Sequence, residues 1–188
     1  MSPSLSLSMS PLVLKLRERD EVLTTREAMR ELLHDASEGL LGWDPIGPTK
    51  PHLGESFRKL EHRLQALVGE RYALPAWDAA AYRRHKAADR LAAASEACHV
   101  VGWSRKDMRD ALGIVCEPLE EDPLPMPGLE PWEPWSPRVA ESMFLNRLLD
   151  LQARAVLHES AEPRSCPTPS NTSPMCPTVT TIGRRGKP

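Results

Sequence analysis

The chain lacks most of the features that assign a class at a glance. Its charges nearly cancel, with 24 Lys plus Arg against 26 Asp plus Glu. That balance excludes the one-signed basic surface of a nucleic-acid polyelectrolyte interface. No apolar run approaches the roughly 20 residues that span a bilayer. The opening stretch, MSPSLSLSMSPLVLKL, has no basic first region and no long apolar segment. No secretory signal is therefore predicted, and a cytoplasmic location is expected. The four cysteines, Cys98, Cys116, Cys166 and Cys176, form no C-x-x-C pair, and two of them lie in a polar tail. That argues against a zinc ribbon or a disulfide framework. Aromatics make up only 5% of the chain. No strand alternation and no repeat is visible, so the predicted fold class is all-α.

What is present is helix punctuation, in a chain of 188 residues that is long enough for one domain with a real core. Ser10-Pro11 reads as a helix start running to about Arg19, because proline is tolerated at the first helical position. Thr24 and Glu27 have capping-box spacing, which predicts a second helix through Ala28, Met29, Leu32 and Leu33. Residues 39–53 hold three Pro and three Gly and are predicted to be a loop. A helix follows over 54–69, with Phe57, Leu60, Leu64, Leu67 and Val68 as its apolar stripe. Asp78 is expected to cap a long helix to about Val101, with Leu91, Ala94, Cys98 and Val101 as its stripe. Ser104 with Asp107 opens a short helix that stops near Gly113. Residues 116–137 carry seven Pro and read as an extended connector, pinned to the body by Trp132 and Trp135. Ser136-Pro137 starts a final helix to about His158, with Ala140, Phe144, Leu148, Leu151 and Ala155 inward. The tail from Pro163 is rich in Pro, Ser and Thr and is expected to be disordered. The domain division is therefore 1–162 and 163–188.

One stretch, ELLHDASEGLLGWDP at 31–45, raises a chemical question. His34 and Asp35 close an apolar helical pattern, and Glu38 stands at i+4 from His34, on one face if the helix continues. Either these are solvated polar residues at a helix end, or they form a metal and acid/base site. Asp89, on an Ala-rich helix, weighs towards the site. A carboxylate packed there needs a partner, since an unpaired buried charge is costly. An ion bridging Asp35 and Asp89, with His34 as nitrogen ligand, would supply one. Such a donor set suits Mn, Fe, Co or Zn, with Mg less favoured. His52, His62, His85, His99 and His158 read as surface residues, His85 alone being near the proposed site.

The order of these motifs resembles the HD-domain metal-dependent phosphohydrolases, and most closely the branch similar to bacterial 5'-deoxynucleotidases. The resemblance spans roughly residues 10–155. It rests on His34 to Glu38, the Pro-rich Asp44 to Lys50 loop, the helix Leu60 to Val68, the Tyr72 to Pro75 turn, Lys86 to Arg90, and the closing SPRVAESMFLNRLLDL. It implies a compact helical bundle of the HD type that binds a divalent metal ion (Mn, Co, Zn, Fe or Mg) through His34, Asp35 and Asp89. It further implies Glu38 as the group that orients or deprotonates water, Asp44 as its helper, and Lys50 and Lys86 as phosphate-facing cations. The implied activity is hydrolysis of a nucleotide or similar phosphomonoester. The implied partner is that small phosphate substrate, with no nucleic-acid polymer and no membrane; a homodimer is left open. The family also uses an early His. No histidine precedes His34 here, and SLSMSPLVL puts Ser10 in that place. The departure defines a rival expectation: an inactive HD-fold protein that binds or regulates.

Overall fold

The computed structural model describes residues 3–42, 45 and 47–161. Among these residues it is all-α, with no strand. Helix α1 spans Pro3–Asp20, α2 Thr25–Leu32, α3 Ala36–Leu41, α4 Gly54–Arg71, α5 Ala79–His99, α6 Arg105–Leu112 and α7 Pro137–Ala161; a short 3-10 helix occupies Gly47–Leu53. The expected tail from Pro163 lies outside the described residues.

The capped helices begin where the side chains say they should. Thr24 and Glu27 form a reciprocal capping box at α2, and Ser104 and Asp107 do the same at α6. The Asp78 carboxylate accepts from the backbone N–H groups of Ala80 and Ala81 at the start of α5. Each cap satisfies donors that the first helical turn leaves free. The final helix buries Ala140, Leu148, Leu151 and Ala155 as expected.

Several expectations need correction. α1 starts at Pro3, with Pro11 inside it rather than at its first turn. Pro11 removes one intrahelical donor, and the helix continues on both sides of it. The segment 39–53 is not all loop: residues 39–41 belong to α3, and 47–53 form the 3-10 helix. On α4 only Val68 is buried, while Leu60 and Leu67 face outward. On α5, Ala94 is buried as expected and Leu91 and Cys98 pack on the core, but Val101 is exposed beyond the helix end, and Ala81, His85, Ala88, Ala92, Ser95 and Ala97 are buried as well.

Three clusters make the core. Leu14 of α1 packs with Ala28, Met29, Leu32 and Leu33 around α2, Val68 of α4, and Leu148, Leu151 and Ala155 of α7. Leu12, Val13 and Leu16 of α1 pack on Ala88 and Ala92 of α5, with Leu119, Leu124 and Trp132 of the connector laid over them. Trp132 thus pins the connector, stacking also on His99 at 4.5 Å between ring centres. Ala94, Ala97 and Met108 join α5 to α6. Small alanines let α5 approach α1 closely, and this fixes the height of His85 and Asp89 beside the end of α2.

Candidate functional site

The helix carrying the first half of the site stops short. α2 ends at Leu32, residues 33–35 turn, and α3 restarts at Ala36. The condition for His34 and Glu38 to share one helical face, a helix continuing through both, is therefore not met. Gln65 of α4 clamps the turn from outside. Its amide N–H donates to the Leu33 carbonyl at 2.9 Å, and its carbonyl accepts from the Ser37 N–H at 3.3 Å. Asp35 occupies the N-cap position of α3, but its side chain caps nothing. Gln65 takes the Ser37 N–H instead, and the Asp35 carboxylate turns to His34, 2.8 Å from Nε2.

His34 is held from the other side. Its Nδ1–H donates to the Glu31 carbonyl at 2.8 Å, since a carbonyl can only accept. That fixes the tautomer and points Nε2 at two carboxylates, Asp35 at 2.8 Å and Asp89 of α5 at 3.9 Å. The side chain is only 5% exposed. Nε2 is buried against the Asp35 carboxylate, 2.8 Å away. Burial alone would lower the His34 pKa. The Asp35 carboxylate beside it, and Asp89 behind, outweigh burial and raise it. Burial would likewise raise Asp35, but the His34 charge, with Lys50 and Lys86 beyond it, pulls Asp35 down.

Of the remaining expected residues, Lys50 and Lys86 bring positive charge to Asp35. Lys86 pairs with Asp89 one turn away. Lys50, on the 3-10 helix, donates to Glu38 at 2.6 Å and to Glu61 of α4 at 3.0 Å. Burial would depress the Lys50 pKa, yet those two hydrogen-bonded carboxylates drive it upward. Glu38 is buried at the start of α3. Ser10 is buried on α1. Asp44 lies outside the described residues.

Sequence reasoning missed the layer beneath. Glu31, wholly buried, accepts from Arg17 Nε at 3.1 Å and from His85 Nδ1 at 2.8 Å. Burial would raise the Glu31 pKa, but the hydrogen bonds from His85 and Arg17 bring it below the ordinary carboxylate value. His85 is not a surface residue: it is 3% exposed, with ring centres 4.7 Å from His34 and 4.6 Å from Trp77. The Arg30 guanidinium lies 3.8 Å from the Trp77 ring centre, a cation–π contact closing the cluster. His52, His62, His99 and His158 are exposed, as expected. Arg83, Arg84 and Lys86 around His85 suggest a polar face; the period of Ala81, His85, Ala88, Ala92 and Ser95 gives the opposite and correct sign.

Among the described residues, no three His, Cys, Asp or Glu side chains already stand at the spacing that holds an ion. The charge that an ion would bring is supplied otherwise, by a His34 inclined to keep its proton and by Lys86 on Asp89. What the described residues do show is one oriented imidazole turned towards two carboxylates, Asp35 and Asp89. No helix among the described residues is long and apolar enough to cross a membrane.

No family model matches the chain. It is similar to an uncharacterized protein of Rhodobacter capsulatus, 41% identical over 83 residues. The match covers 44% of this chain and 42% of that relative, so the chain spans less than half of the relative's length.

Proposed function

We propose that this chain is a metal-dependent phosphohydrolase of the HD type, acting in the cytoplasm on a nucleoside 5'-monophosphate or similar small phosphomonoester. The observation that carries the reading is the buried His34 imidazole, anchored through Nδ1 and turning Nε2 towards Asp35 and Asp89. Metal-binding histidines are held in this way, with the second ring nitrogen fixed by a carbonyl or carboxylate. The order of the HD-type motifs supplies the reaction class.

His34, Asp35 and Asp89 would hold the divalent ion, which when bound polarises phosphoryl oxygens and lowers the pKa of water. Glu38 orients or deprotonates a water within hydrogen-bond reach. Lys50 holds the Glu38 carboxylate in place by donating to it. Lys86 and Lys50 turn positive charge towards a phosphate as point donors. Asp44, which follows α3 in the sequence, is the proposed helper.

A second reading has its own observation. Lys86 on Asp89, and Lys50 on Glu38 and Glu61, balance the carboxylates without any ion. That is how a binding module with this fold would look. The test is phosphate release from nucleoside 5'-monophosphates with Mn, Co or Zn added. Metal-dependent turnover that Asp89→Ala reduces to background is expected. Purified protein with no turnover under any of the three ions contradicts the enzyme reading and leaves the binding module.

A further inference from the structure

A cleft opens where the connector between α6 and α7 is laid over α1 and α5, and the proposed reaction makes no use of it. It stands apart from the His34 site: Glu96, its nearest α5 residue, is about two helical turns beyond Asp89. Two indoles, Trp132 and Trp135, and three carboxylates, Glu96, Asp122 and Glu133, line it. The rest of the lining is apolar, and no Lys, Arg or His belongs to it. We infer that this cleft binds a methylated ammonium group, a cation clad in carbon. Three observations converge on it.

The first is charge. A cleft whose charged lining is all carboxylate concentrates cations and rejects anions, and it does so in a chain whose charges otherwise nearly cancel. The second is the aromatic wall. Indole faces attract cations through the ring quadrupole, and ligands with quaternary ammonium groups are recognised in this way. Trp132 is set in place before any ligand arrives. His99 stacks on one face of it, with ring centres 4.5 Å apart, and the His99 Nε2–H donates to the Leu119 carbonyl at 2.6 Å. The Trp132 backbone has φ 63°, an uncommon conformation for so large a residue, and its N–H donates to Asp122 at 2.9 Å. The third is what the carboxylates already do. Asp122 accepts from the Leu124 N–H through Oδ1, at 2.8 Å, and from the Trp132 N–H through Oδ2. Glu133 accepts from the Glu130 N–H at 3.0 Å. Part of their accepting capacity is spent, while their charge remains. A primary ammonium brings three N–H donors to satisfy. A quaternary one brings none, and needs only charge and apolar contact.

A structural role also explains part of this: Trp132 pins the connector, and Asp122 and Glu133 tie its turns. Such a seam has no preference for a positive charge, so charge selectivity separates the two roles. The indole N–H signals of the full-length protein, assigned with single Trp→Phe variants, are followed by NMR during titration. The probes are choline, its uncharged isostere 3,3-dimethyl-1-butanol, ammonium chloride, and a short peptide with trimethyllysine or unmodified lysine. Saturable shifts of the Trp132 and Trp135 signals with choline are expected, with Trp103 unmoved. The uncharged isostere and ammonium should each bind roughly tenfold more weakly, the scale of a desolvated cation–π contact. Trp135→Ala is expected to abolish the response. Glu133→Gln, at an exposed position that does not threaten folding, is expected to weaken it several-fold. Tighter binding of the trimethyllysine peptide than of choline places the head group on a modified protein, and the reverse order places it on a small molecule. No saturable shift with either choline or the trimethyllysine peptide overturns the inference. So does an isostere or ammonium that binds as tightly as choline.

Discussion

Glu31 is the residue on which the site turns, although it stands just before the motif that draws the eye. It is wholly buried between Arg17, Arg30 and His85, and its own carbonyl orients His34. Replacing a buried partner leaves the opposite charge uncompensated, at a cost of about 3–5 kcal/mol. Glu31→Ala is therefore expected to lower stability by that amount in urea unfolding. The pH dependence follows from the depressed Glu31 pKa. Its contribution is fully present above the ordinary Glu value, about 4.3, and is lost as pH falls through the lower folded-state value. The stability gap between wild type and Glu31→Gln should be widest at neutral pH and close in acid. A gap that stays constant down to acid unfolding contradicts the account. At this scale His34, Asp35, Glu38 and Asp89 were legible in the sequence, because the spacing of acids and imidazoles is unusual on apolar helices. Glu31, Arg17 and His85 were not. Their charges read as solvent-facing until the partners, 14 and 54 residues from Glu31, are known.

At the scale of elements, capping side chains carried the most information. Thr24, Asp78 and Ser104 each announce a helix whose start the structure bears out. The weak points were elements without such a mark. α3 has an N-cap residue that does not cap, because Asp35 faces His34 and Gln65 from another helix does its work. Nothing local encodes that exchange. The 3-10 helix at 47–53 contains Pro51 and lies in a segment whose composition signals a loop. The apolar stripe of α4 overstated burial because a period identifies a face but not whether another element covers it. The alanines of α5 carry a prediction at this scale. Ala92 is fully buried against Leu12, Val13 and Leu16 of α1. Ala92→Leu forces extra methylenes into that contact, at a cost of about 1–3 kcal/mol. A thermal midpoint several degrees lower is expected; an unchanged midpoint would show that α1 and α5 do not pack closely there.

At the scale of the whole molecule, the fold explains why residues so far apart in sequence can act together. α1 is the hub, packing against α2, α5 and α7. α2 ends beside α5, so the turn at 33–35 meets Asp89 at the level of His85. α3 and α4 form a second pair that brings Glu38 and Glu61 to Lys50. The composition foretold an all-helical body, and the caps gave most of its order. Which helices touch was not readable, since that depends on shape complementarity between faces rather than on any one face. The central claim is that His34, Asp35 and Asp89 hold a divalent ion. The most direct measurement is elemental analysis of the full-length protein, incubated with Mn, Co or Zn and then desalted, for the wild type and Asp89→Ala side by side. Close to one ion per chain in the wild type, and almost none in the variant, is the expected result. Wild type that leaves the column without metal, or a variant that retains as much as the wild type, contradicts the claim.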